Sequence, residues 1–297
     1  MIEPVAYLGP EGTFTHEAAQ VLFSESQYRH VPRTSIVDVL TSVNQNECAY
    51  GVVPVENAIE GSVTLTLDWL IHHVKVPITA ELIYPISQYL MVHPSQAHRS
   101  WKDYTRVISH PQAVAQTRIH VRKYLPQAAI TFVDSTADAA RQVQEHSDQP
   151  WVAIGTQSAQ KLYSLEMLSE KVEDYPNNYT RFIVVGKEIR ELKASPSLTK
   201  SSFLVTLPSD FPGALYRVLQ SFAGQGVNLS RIESRPTKKK LGAYYFYIDA
   251  EKEWNHPSVT RAIQEVEAWD CKVRLLGSYP AYTFSQIKSF QSVDNTK

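Results

Sequence analysis

The segment Asn177-Asn178-Tyr179-Thr180-Arg181-Phe182 sets a hydroxyl beside a guanidinium just ahead of an apolar strand. Arg181 can fork onto a carboxylate and Thr180 can donate to a departing oxygen, although an arginine beside a strand equally suits a surface ion pair. Two loops that lead into helices, Gly9-Pro10-Glu11-Gly12-Thr13-Phe14-Thr15 and Ser109-His110-Pro111-Gln112, carry small polar residues. First-turn amides lack partners there, so Thr13 and Ser109 are helix caps or parts of an anion site. Pro54-Val55-Glu56-Asn57 and Gly61-Ser62-Val63-Thr64 put Glu56, Asn57 and Ser62 at a strand end, where open α/β sheets collect ligands and where turn chemistry is equally at home. His110 has the chemistry of a general base, and His16, His72 and His73 that of metal ligands. None is spaced against Asp, Glu or Cys in a metal pattern, so packing or surface roles suit them and no metal is expected. The chain lacks GxGxxG, a P-loop and a GxSxG elbow, which removes the usual grounds for nucleotide binding or serine hydrolysis.

The elements that must position these residues alternate. Val5 to Leu8 reads as a strand, a helix starts near Thr13, and Ser35 to Glu47 places Ile36, Val39, Leu40 and Val43 on one helical stripe before a strand at Tyr50 to Val53. A second series runs through strands at Ile83 to Val92 and Arg106 to Ile108, a helix over Ala113 to Tyr124, and strands at Ala129 to Val133 and Trp151 to Gly155. A helix through Ala159 and Leu162 and a closing strand, Phe182 to Gly186, complete it. This rhythm predicts two α/β lobes with a cleft between them. Glu188 to Lys200 has linker composition. Beyond it come strand Ser202 to Leu207, helix Pro212 to Ala223, strands Val227 to Ser234 and Ala243 to Asp249, helix Pro257 to Ala268 and strand Lys272 to Leu276, the βαββαβ order of a ferredoxin-like module. Leu215, Val218, Leu219 and Phe222 mark the core face of its first helix.

Length and charge narrow the classes further. The 297 residues suit about two domains, and 29 Lys+Arg against 30 Asp+Glu leave no bulk field for nucleic acid or anionic lipid, so neither partner is expected. Lys238, Lys239 and Lys240 read as a solvated turn. Cys48 and Cys271 cannot build a disulfide framework, and the first residues lack the pattern of a secretory signal, so a cytoplasmic location is expected.

Taken together, the segments resemble the prephenate dehydratase family with a regulatory ACT domain at the carboxyl end. Tyr163-x-Leu165-x-x-Leu168, Asp174 and Thr180-Arg181-Phe182-Ile183-x-Val185 resemble the family's catalytic signature, and Leu229-Ser230-Arg231-Ile232-Glu233-Ser234-Arg235-Pro236 its regulatory one. The loops at 9–15 and 53–57, Ser109 to Gln116, and Ser135 to Ala140 resemble family blocks in the same order.

The resemblance implies a catalytic domain over 1–187, two-lobed like the type II periplasmic-binding-protein fold, with hinges near 77–80 and 175–180. A linker over 188–200, an ACT domain over 201–280 and a tail over 281–297 follow. It implies decarboxylating dehydration of prephenate to phenylpyruvate, without metal or organic cofactor, by a homodimer or a tetramer of dimers. Because the match starts at Val5, a fused chorismate mutase is not expected. Thr180, Arg181, Asn57, Ser109 and Gln116 correspond to catalytic positions, with Thr180 the donor to the leaving hydroxyl. Thr13, Phe14, Glu56, Ser62 and Phe182 are the expected substrate-binding residues. L-phenylalanine, the implied feedback effector, is expected at Gly213, Ala214, Leu215, Asn228, Leu229, Glu233, Ser234 and Arg235, where Tyr216 replaces the valine the family commonly carries. Arogenate dehydratase and a non-catalytic amino-acid sensor are the alternatives.

Overall fold

The structure, a computed structural model, describes residues 2–188, 192, 194–209, 211–240 and 242–294, with side chains to residue 289. In chain order it forms β1 (Glu3–Leu8), α1 (Phe14–Leu22), β2 (Tyr28–Arg33), α2 (Ile36–Asn44), β3 (Tyr50–Asn57), β4 (Gly61–Ser62), α3 (Thr64–His72), β5 (Ile78–Pro85) and β6 (Tyr89–Val92). There follow β7 (Arg106–Ser109), α4 (Pro111–Gln116), α5 (Arg118–Tyr124), β8 (Ala129–Phe132), α6 (Thr136–Glu145), β9 (Trp151–Gly155), α7 (Gln157–Leu162), β10 (Glu166–Ser169) and β11 (Tyr179–Gly186). The last elements are β12 (Leu198–Thr206), α8 (Ala214–Gly224), β13 (Leu229–Pro236), β14 (Tyr244–Ala250), α9 (Pro257–Ala268), β15 (Lys272–Thr283) and α10 (Phe284–Asp294).

The chain divides into two compact units, the first made of Met1–Val39, Val52–Val63 and Tyr84–Phe182 and the second of Leu40–Gly51, Thr64–Ile83 and Ile183–Lys297. The first unit contains two sheets. In one, β1 pairs in parallel with β2, placing Ala6 opposite Val31, and the order continues through β3 to β11. The other runs β10-β6-β9-β7-β8, with β7 parallel to both β8 and β9. Its two faces are filled by separate apolar clusters, one around Leu90, Val107, Val121 and Ile154 and one around Met91, Ile108, Ala140, Ala153 and Ala159.

Local chemistry explains where helices in this unit begin and end. Thr13 caps α1 by accepting from the His16 amide, and Ser135 caps α6 by accepting from the Asp138 amide. The single helix expected over Ala113 to Tyr124 is broken at Thr117, which sits at φ −120° and donates its hydroxyl to the Ala113 carbonyl at 2.8 Å. The expected strand Ile83 to Val92 is likewise two strands, because the passage between the two sheets falls between them at 86–88, with the return at 170–178. It comes later than the hinge expected near 77–80, residues that lead into and start β5. Strand β2, helix α3 and strand β10 were not expected at all.

In the second unit β12, α8, β13, β14, α9 and β15 follow the βαββαβ order, with antiparallel strand order β13-β14-β12-β15. Helices α8 and α9 cover it through Val218, Phe222, Val259, Ala262 and Val266, which pack with Phe203, Val205 and Ile248. Strand β15 runs on to Thr283, where Ala281 to Thr283 pair in parallel with Glu81 to Ile83 of β5. That pairing draws 64–83 into this unit, a different division from the boundary expected at 187. It is reinforced by a buried ion pair in which Lys200 Nζ lies 2.6 Å from Glu81 Oε1, with side chains 7% and 0% exposed. A register shift in β15 occurs where Gly277 lies so close to β5 that an ideal Cβ would meet the Ile78 carbonyl oxygen at 2.2 Å. Of the expected linker, residues 189–191 and 193 lie outside the described residues, and Leu198 already begins β12. The expected tail contributes the end of β15 and helix α10, and 295–297 lie outside the described residues.

Candidate active site

A cavity of about 290 Å³ lies between the two sheets of the first unit. One wall comes from the β1–α1 loop and the ends of β3 and β11 through Thr13, Phe14, Asn57, Thr180 and Phe182; the other comes from α4 and the start of α6 through Ala113, Gln116, Ser135 and Thr136. The second unit holds larger cavities, of about 470 and 540 Å³, but neither is lined by any of the expected catalytic, substrate-binding or effector residues.

The polar centre of the smaller cavity is a relay of carboxamides ending on a hydroxyl. Asn57 Oδ1 accepts from the amides of Ile59 and Glu60, both at 3.0 Å, which fixes the side chain with its nitrogen facing inward. Asn57 Nδ2 then donates to Asn178 Oδ1 at 2.8 Å and to Thr180 Oγ1 at 2.9 Å. Asn178 Nδ2 donates to Gln116 Oε1 at 3.1 Å. Since Thr180 Oγ1 receives a proton from Asn57, its own hydroxyl proton is left for another acceptor. Gln88, 2% exposed, also borders the cavity, and its buried Oε1 has no partner among the described residues.

Two helix starts bring partial positive charge to the same space. In α1 the His16 and Glu17 amides are satisfied by Thr13, leaving those of Phe14 and Thr15 at the cavity. In α6 Ser135 satisfies the Asp138 and Ala139 amides and leaves those of Thr136 and Ala137. Phe14, Val63, Ile86, Ala113 and Phe182 supply apolar lining, and among the described residues Asp134 alone brings a carboxylate to the wall.

Thus Thr180, Asn57, Gln116, Thr13, Phe14 and Phe182 gather at one cavity, while four other expected residues do not line it. Arg181 points to the opposite face of β11 from Thr180 and Phe182, and its Nη1 donates to Glu56 Oε2 at 2.7 Å. Its expected fork onto a ligand carboxylate is therefore replaced by an ion pair, and Glu56 is likewise engaged there. Ser109 is fully buried and donates to the Ile154 carbonyl at 2.8 Å, a bond inside the sheet. Ser62 pairs across from Glu56 in β4, one residue before the lining Val63. His110 lines the cavity as the cap of α4, its Nδ1 accepting from the Gln112 amide. Asn178 and Gln88 were missed. Asn178 stands two residues before Thr180, on the same strand face, which is the signal that could have marked it.

The other histidines are accounted for by packing. His73 stacks on Trp69 at 4.0 Å, and His72 Nε2 lies 3.1 Å from the Pro236 carbonyl. His16, Glu25 and His30 bring possible ligand atoms within 4.8 Å of one another. However, His16 Nδ1 accepts from the Gly12 amide at 3.1 Å, and burial holds the ring below the usual imidazole range, so the neutral ring carries its proton on Nε2. That nitrogen is a donor, not a metal ligand.

The expected effector residues lie in the second unit. Gly213 caps α8, Ala214 and Leu215 open that helix, and Leu229, Glu233, Ser234 and Arg235 lie on β13. Arg231 binds Glu233 at 2.5 Å, Arg235 binds Asp68 of α3 at 2.7 Å, and Asn228 Nδ2 donates to Glu251 at 2.6 Å.

A two-sheet α/β unit with a hydroxyl-tipped relay in its cleft is a site for a small polar molecule, and the comparisons with known proteins specify the lineage. A model of the prephenate dehydratase family matches residues 5–190. The prephenate dehydratase of Bacillus subtilis (strain 168) is 39% identical over 283 residues, 94% of this chain and 99% of that protein. Among solved structures, the Arthrobacter aurescens prephenate dehydratase in complex with L-Phe superposes with a TM-score of 0.80 at 34% identity, covering 98% of this chain and 97% of that one. GqqA, described as a quorum-quenching acylase, superposes with a TM-score of 0.79 at 25% identity, covering 94% and 98%. The chain belongs to the prephenate dehydratase family.

Proposed function

We propose that the cavity binds prephenate and converts it to phenylpyruvate, carbon dioxide and water. The observation that carries this reading is the bond from Asn57 Nδ2 to Thr180 Oγ1, which leaves the threonine proton for the ligand. The reaction expels carbon dioxide and the ring hydroxyl as the ring becomes aromatic, so its demand is for positioning and for help to the departing oxygen. A threonine is too weak an acid to protonate that oxygen by acidity alone. Held by Asn57, it acts as a preorganised donor whose bond strengthens as charge develops. The amides at the starts of α1 and α6 suit the two carboxylates of prephenate, and Phe14 and Phe182 suit its ring.

The family's fold alone does not decide the chemistry, since GqqA shares it; the relay and the relationship to named dehydratases together favour this one. The βαββαβ module is read as an ACT domain and L-phenylalanine as its effector, consistent with the L-Phe complex of the Arthrobacter aurescens protein. Assembly as a homodimer or a tetramer of dimers and residence in the cytoplasm belong to the same reading. The test is ultraviolet detection of phenylpyruvate from prephenate, with arogenate in parallel and phenylalanine added. Turnover of prephenate that phenylalanine suppresses is expected, and no product from prephenate overturns the reading.

A further inference from the structure

Thr13, Phe14 and Thr15 wall the cavity from the start of α1, whereas Asp134, Ser135 and Thr136 wall it from the second sheet. Away from the cavity, the same two sides touch. Glu17, about one turn into α1, accepts from the Ser158 amide of α7 at 3.0 Å through Oε1 and from the Tyr84 hydroxyl at 3.1 Å through Oε2. Helix α7 belongs to the second sheet, where Ala159 packs with Met91, Ile108 and Ala153. Beside this contact the Thr156 hydroxyl donates to the Gly12 carbonyl at 2.6 Å, and Gly12, at φ 84°, lies so close to α7 that an ideal Cβ would meet Ala159 Cα at 3.2 Å.

We propose that Glu17 is a positioning residue: by tying the start of α1 to the start of α7, it sets the separation of the two walls that hold the ligand. The proposal rests on the prephenate reading, because Glu17 itself does not line the cavity. Facing its carboxylate are the hydroxyls of Tyr84, Tyr89 and Thr156, the Ser158 amide and the Lys161 ammonium. Burial outweighs the hydrogen bonds and the lysine, and holds the Glu17 carboxyl above the usual carboxylate range. An arrangement that raises a carboxyl's affinity for a proton is in turn favoured by protonation. The tie therefore holds better at low pH and loosens as pH rises through that raised value, and glutamine imitates the protonated form.

The test compares wild type with Glu17→Ala and Glu17→Gln by kcat and KM for prephenate between about pH 5 and 8, and by hydrogen exchange at the Ser158 amide. Glu17→Ala is expected to raise KM about tenfold, the upper scale of one net hydrogen bond, with kcat little changed, because binding must then draw the walls together. Its Ser158 amide exchanges faster. Glu17→Gln keeps both the low KM and the Ser158 protection, and the ratio of wild-type KM to Glu17→Gln KM rises with pH, a comparison that cancels any titration of the substrate. Wild-type KM in Glu17→Ala, or unchanged Ser158 exchange, overturns the proposal. So does an equal loss in both variants that tracks a lowered melting temperature. A wild-type chain that forms no phenylpyruvate defeats the prephenate reading, while Ser158 exchange still judges the tie.

Discussion

Replacing Thr180 by valine removes one hydroxyl and almost no volume, which makes it the sharpest probe of the relay. The Thr180 oxygen accepts one proton of the Asn57 carboxamide at 2.9 Å, while the other goes to Asn178 at 2.8 Å. Thr180→Val therefore leaves Asn57 anchored and costs the fold about 1–3 kcal/mol, the cost of taking the acceptor from one buried donor. Its effect on turnover is larger. Withdrawing one preorganised donor from a site of developing charge costs about 2.7–4 kcal/mol, or roughly 100- to 1000-fold in kcat. KM should move little, because the donor strengthens its bond chiefly in the transition state. Initial rates of phenylpyruvate formation, read beside a melting curve, measure both quantities, and Thr180→Ser should recover most of the lost rate. A Thr180→Val enzyme within tenfold of the wild-type kcat, with an intact fold, would refute the assignment of the donor.

Three further outcomes follow from the packing. Gly277→Ala drives a Cβ into the Ile78 carbonyl, which cannot turn aside, so the β15–β5 pairing gives way at a cost of about 1–3 kcal/mol or more, visible as a lower melting temperature. Lys200→Met removes the cation paired with the fully buried Glu81 and is expected to cost about 3–5 kcal/mol in urea denaturation, whereas adding Glu81→Leu restores much of the stability; a double variant as weak as the single would contradict this. Asp68→Asn removes the charge that holds Arg235, and on the phenylalanine reading it should shift the inhibition curve while leaving uninhibited turnover as it was. An unshifted curve would separate α3 from regulation.

The alternation of strands and helices and the βαββαβ order were legible because apolar periodicity records which face each element buries. Strand β2 carries no strand signal in its sequence, because its run, Tyr28-Arg29-His30-Val31-Pro32-Arg33, is polar and holds a proline. Helix α3 was hidden in Thr64-Leu65-Thr66-Leu67, an alternation that imitates a strand. In the site, Thr180 and Asn57 were legible as residue types beside strand ends, whereas Gln116 came only from the family resemblance. The two-residue period of β11 puts Arg181 on the opposite face from Thr180, where it meets Glu56, a placement that residue type alone does not give. Ser109 illustrates a different limit: the sequence places a hydroxyl at a strand end, and only the packing shows that it is fully buried and bonded to the Ile154 carbonyl. The tie at Glu17 joins residues 141 apart in sequence, with no local signal at either end.

The anchoring of Asn57 by two backbone amides has a consequence for substitution. Aspartate has the same outline, but once ionised it offers only acceptors. Placed at 57, it would still hold the Ile59 and Glu60 amides, yet it would repel the Asn178 oxygen and claim the threonine proton for itself. Exchanging one nitrogen for oxygen thus reverses the polarity of the whole array, so that the hydroxyl serves its host instead of its guest, without a change in shape.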